Sequence, residues 1–120
     1  MKFFCKSETL SPLVALAAFD AGYLLAKNDR DLAVSAISVV DGILALIDKG
    51  SDAGSINAAF QEAVKALVNE HVKDPLVKMN LLAVLEMVGI EITAPDMKVL
   101  EVGEIKGLVS NFKAGVLAYK

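Results

Sequence analysis

The chain has 120 residues, 55% of them apolar and 22% charged, with a formal net charge of −3. Such a composition excludes a disordered polymer, which needs low hydrophobicity and high net charge. Eight glycines, three prolines and one cysteine exclude a collagen-like or disulfide-stapled chain.

The opening MKFFCK, followed by an apolar run, has the look of a secretory leader, but Asp20 interrupts the run and no small-residue cleavage site closes it. Residues 1–10 read as a frayed leading segment. Cys5 reads as an incidental thiol, with acylation or an intermolecular bridge as the functional alternative. One cysteine gives no disulfide framework, and the expected compartment is the cytoplasm, with membrane association as the alternative.

Each proline follows a helix-start signal: Ser11-Pro12, Asp74-Pro75 and Thr93-Ala94-Pro95. Proline suits the first helical position because its missing N–H would go unpaired there and its φ is already helical. Ser, Asp and Thr accept from the free N–H groups of a first turn. A first helix is therefore predicted over Pro12–Lys27. A turn, KNDRD, follows, with Asn28 or Asp29 as cap, then a second helix from about Asp31 to Lys49. The Gly, Ser and Asp content of KGSDAGS makes residues 49–55 a loop. The third helix runs to about Val72. The fourth starts at Asp74-Pro75 and ends at Gly89, a residue suited to a left-handed cap. IEIT, residues 90–93, is a short extended link, and a fifth helix is predicted over Asp96–Ala118. The fold class is thus all-α: one domain over residues 1–120, a compact bundle of about five helices with short, mainly antiparallel connections.

The helix faces differ. The third places Ile56, Ala59, Phe60, Ala63, Val64, Leu67, Val68 and His71 on one side, with Asn57, Gln61, Glu62, Lys65, Asn69 and Glu70 mostly opposite. The second carries one narrow polar stripe, Asp31, Ser35, Ser38, Asp41 and Asp48. The first and fourth are apolar nearly all round, as in buried helices. A faint repeat, LAAFDAGYLL (residues 16–25) and ISVVDGILAL (residues 37–46), sets an aspartate inside each of two apolar helices. With 46 residues of Leu, Ile, Val, Met and Phe, and only about two-thirds of the extended-chain surface buried in a domain of this size, apolar surface is left over. A homo-oligomer, or an unidentified protein partner, is the expectation.

Small residues form stripes suited to close helix packing: Gly103, Gly107, Ser110 and Ala114 on the last helix, and Ala18, Gly22 and Ala26 on the first. Packing within the bundle and a subunit interface at the last helix are the two readings. Asp20, Asp41 and Glu86 interrupt apolar stretches and stand as candidate buried or functional carboxylates. Solvation on a narrow stripe, or pairing with a lysine, is the simpler account of each.

Catalytic chemistry is poorly supplied. One His and one Cys cannot build a zinc site. No Glu-x-x-His pair, phosphate loop, G-x-S-x-G turn or H-E-x-x-H occurs. No catalytic residue, metal or cofactor is expected. His71 reads as a half-buried residue at a helix C-terminus, with a pH switch or a haem ligand opposite Met79, Met87 or Met97 as alternatives. Basic residues, eleven lysines and Arg30, are scattered singly, so nucleic acid is not an expected partner. Three roles remain. The first is a non-enzymatic interaction or scaffold protein that self-associates through apolar helix faces. The second is a membrane-active protein inserting a hairpin of residues 12–47, although both stretches fall short of the ~20 residues a span needs. The third is a carrier of a small apolar ligand.

Overall fold

Local capping sets where the helices begin. In the computed structural model, which describes residues 11–90 and 99–119, Ser11 Oγ accepts from the N–H groups of Leu13 (3.2 Å) and Val14 (3.5 Å) ahead of Pro12. Helix α1 follows, Pro12–Asn28. Asp29 Oδ1 accepts from Leu32 N–H at 3.1 Å and opens α2, Arg30–Asp48. Asp52 opens α3, Ala53–Ala66. Asp74 Oδ1 accepts from Leu76 (2.9 Å) and Val77 (3.2 Å) and opens α4, Pro75–Met87. Helix α5 is Val102–Ala118.

Two glycines close helices. Gly50 (φ 81°) and Gly89 (φ 84°) sit in the left-handed region that side chains avoid. At each, two crossed bonds tie off the last turn: Ser51 N–H to Leu46 C=O with Gly50 N–H to Ile47 C=O, and Ile90 N–H to Leu85 C=O with Gly89 N–H to Glu86 C=O.

The helices form a compact all-α bundle without strands among the described residues. Helix α1 lies at its centre and packs on α2, α4 and, most extensively, α5. Helix α2 also touches α3 and α5. Side chains too large to leave in water fill the middle: Leu25, Ile56, Ile90, Leu100 and Ile105 are almost wholly enclosed.

Several expectations are corrected. Helix α5 starts at Val102, not Asp96: Val99, Leu100 and Glu101 are not helical. The cause is Asn57, expected on the solvent side and instead buried. Its Nδ2 donates to Leu100 C=O (2.9 Å) and to Ala53 C=O (2.9 Å), and its Oδ1 accepts from Leu100 N–H (2.8 Å). With both backbone groups taken by a side chain, Leu100 cannot join a helical ladder. Glu101 then caps α5, its N–H donating to Glu104 Oε1 at 3.2 Å. The third helix does not end as an α-helix but widens into a π turn, Leu67–His71. Helices α1 and α4 are not buried all round: Leu13, Leu16 and Tyr23 on α1, and Leu76, Met79 and Met87 on α4, are exposed. Cys5, Pro95, Met97 and most of the 90–93 link lie outside the described residues.

Candidate functional site

The packing order leaves a gap. Helix α2 and helix α3 are joined by the tight turn at residues 49–52, and α3 continues through the π turn to His71. Between these two arms lies a half-open cleft of about 300 Å³. Leu32, Ala36, Val39, Val40 and Ile43 of α2 form one wall. Phe60, Ala63 and Val64 of α3, with Leu67 and Val68 of the π turn, form the other. The floor is shared by Ala18 and Ala21 of α1, Leu81, Val84 and Leu85 of α4, and Leu108, Val109 and Phe112 of α5. Alanines at positions 18, 21, 36, 63 and 66 contribute little bulk, which is why space remains. The π turn broadens its wall, so that Ala66, Leu67 and Val68 in succession all border the cleft. Single π turns inside helices frequently mark functional sites.

Among the described residues, two polar side chains border this space, Ser35 of α2 and His71 at the end of the π turn. Both are exposed at the lip. The expectation of a half-buried His71 is corrected accordingly: the π turn carries it outward. Beyond Leu32, which borders both spaces, lies a second hollow of about 310 Å³ lined by Leu25, Asn28, Asp29, Val72, Lys73, Asp74 and Val77. The cleft is therefore apolar inside and polar at the end near Leu32 and His71.

The residues singled out by sequence fall as follows. Ala18 and Gly22 are buried on α1, and Ala18 also reaches the cleft floor. A methyl placed on Gly22 would lie 2.0 Å from the Phe112 carbonyl oxygen, and one on Gly115 would lie 1.9 Å from that of Phe19. The α1–α5 backbones thus meet at Gly22 and Gly115, within one copy of the chain. Gly103 and Gly107 are half-buried, while Ser110 and Ala114 are exposed. Helix α5 turns Ile105, Leu108, Val109 and Val116 inward because these bury more apolar area than the small stripe does.

None of the three candidate carboxylates is buried: Asp20, Asp41 and Glu86 are all exposed. Asp41 Oδ1 accepts from Lys113 Nζ at 2.6 Å, an ion pair between α2 and α5. The polar stripe of α2 faces solvent along its length. Asp52 has its carboxyl held below the ordinary value, first by the Ser55 hydroxyl and then by the Ser55 backbone N–H. Among the described residues, no three of His, Cys, Asp and Glu come together in a way that could hold a metal ion. No helix there is long and apolar enough to cross a membrane, and this includes both helices of the 12–47 hairpin.

Sequence reasoning missed Asn57 and the cleft. Compared with protein-family models, curated proteins and solved structures, the chain matches none.

Proposed function

We propose that this chain is a non-enzymatic binding protein whose cleft takes an apolar ligand. The observation that carries the proposal is the cleft itself: about 300 Å³ walled almost wholly by aliphatic and aromatic side chains, with two polar groups at its lip. Ligand sites begin at about this size and share this makeup, a mostly apolar wall with a few placed polar groups. Space of this kind is costly to leave unfilled. The cleft is half-open, so its apolar walls face water, and an occupant that covers them gains the burial of that surface. An alkyl chain seated there contributes ~0.8 kcal/mol per buried methylene. A cytoplasmic setting belongs to the same proposal, in keeping with a one-cysteine composition.

The test is a titration with Nile red, a neutral dye that fluoresces in apolar surroundings. The wild-type chain should bind it in a saturable one-to-one manner. Ala63→Phe, which places a ring in the cleft, should abolish the binding while leaving the melting temperature equal or higher. Undiminished dye binding by a folded Ala63→Phe variant would remove the proposal.

A second reading, self-association, rests on a separate observation. Leu13, Leu16, Leu76, Met79 and Val99 are all more than half exposed, Leu76 reaching 75%. Sedimentation velocity over a hundredfold concentration range tests it. A rising sedimentation coefficient supports an oligomer, and a constant monomer value rejects it.

A further inference from the structure

The two ends of the cleft differ chemically, and that difference bears on what the ligand must look like. This step rests on the binding role proposed above and specifies the ligand class. At the inner end, towards the 49–52 turn, the walls are Ile43 and Phe60. At the outer end stand Ser35 and His71, one on each wall. Among the described residues, the cleft lining has no other polar side chain, and no ammonium, guanidinium or carboxylate. From this arrangement we infer that the occupant is a single-chain amphiphile with an uncharged hydroxyl head: the chain lies along the cleft and the head sits between Ser35 and His71.

Chain length follows from volume. A methylene takes up roughly the room of a water molecule, ~30 Å³, so 300 Å³ accommodates about ten carbons. Head chemistry follows from the donors and acceptors. A serine hydroxyl both donates and accepts, and a neutral imidazole offers one nitrogen of each kind. A hydroxyl, itself donor and acceptor, satisfies both partners at once. A carboxylate head can only accept, and it would approach the adjoining hollow, where Asp29 and Asp74 outnumber Lys73. An ammonium head can only donate, which leaves the donors of Ser35 and His71 without an acceptor in the ligand. Asp31 and Glu70, beside Leu32 and His71 in sequence, are exposed and screened by salt.

Displacement of Nile red by 1-decanol, decanoate and decylammonium, at concentrations below micelle formation, tests the assignment on the full chain. The expected order places 1-decanol tightest, about tenfold ahead of either charged analogue. The double variant Ser35→Ala/His71→Ala should lose about tenfold in 1-decanol affinity relative to its own affinity for Nile red. Both residues are exposed, so the fold is retained, and circular dichroism verifies it. Tighter displacement by decanoate or decylammonium overturns the hydroxyl assignment, and so does an unchanged 1-decanol affinity in the double variant; neither disturbs the cleft reading if Nile red still binds. A wild-type chain that excludes Nile red and 1-decanol alike while sedimenting as a dimer overturns both, in favour of a second copy as the occupant.

Discussion

Asn57 is one side chain that fixes the position of an entire helix. It satisfies the N–H and C=O of Leu100 from 43 residues away, at a site closed to water. Asn57→Ala leaves both backbone groups buried without partners, at ~1–3 kcal/mol each. The expected loss in chemical denaturation is about 3 kcal/mol, accompanied by faster hydrogen exchange at Leu100. A loss below about 1 kcal/mol would show that Leu100 is positioned by something else. Glycines sharpen the same point. Gly115 faces the backbone of α1, whereas a methyl on Gly42 meets nothing within 4 Å. Gly115→Ala should destabilise by about 2 kcal/mol through overpacking, while Gly42→Ala should stabilise by about 0.8 kcal/mol through helix propensity alone. Equal effects at both sites would contradict the close α1–α5 approach.

At the scale of elements, capping governs both what the sequence discloses and what acid does to the fold. Asp52 accepts from Ser55 N–H (3.1 Å) and Ser55 Oγ–H (2.9 Å) at the start of α3. Its carboxyl is therefore held below the ordinary 3.8. A lowered folded value means the contribution is complete above pH 3.8 and fades as pH falls through the folded value. The stability gap between wild type and Asp52→Ala should accordingly narrow on acidification below pH 3.8; a gap that stays constant or widens would mean the cap is not the charged form. Helix starts at Pro12 and Pro75, the Asp29 cap and the glycine stop at residue 89 were legible because each is decided within four residues of chain. The start of α5 was not, since Leu100 is taken by a residue one helix away. Asn57 looked solvent-facing because position on a helix says nothing about a partner brought in by the tertiary fold. The π turn carries no local mark at all: Leu67 to His71 continue the same apolar spacing as α3.

For the whole molecule, the apolar surplus visible in the composition is carried partly by exposed side chains such as Leu13, Leu16, Leu76 and Met79 and partly by the cleft between α2 and α3. Periodicity cannot separate a wall from a core, because Val39, Val64 and Leu81 follow the same pattern whether or not a neighbour fills the space beyond them. The small residues were readable as packing devices, yet which helix they meet depends on α1 lying against α5, a contact between the two ends of the described chain. Asp20 and Asp41 look anomalous along the sequence and ordinary in three dimensions, as each helix presents its aspartate to water. Asp20→Asn should therefore leave the unfolding midpoint nearly unchanged, and a shift above ~2 kcal/mol, beyond what an exposed site normally gives, would reveal a partner for it.

The most direct test of the cleft as a binding site is a methyl-resolved NMR titration of the full chain with 1-decanol. Methyl signals of Leu32, Val64, Val84 and Leu108, which line the cleft, should shift together and saturate at one equivalent, while those of the exposed Leu13, Leu16 and Leu76 stay in place. Shifts confined to Leu13, Leu16 and Leu76, or no saturable shift in any cleft methyl, would contradict it.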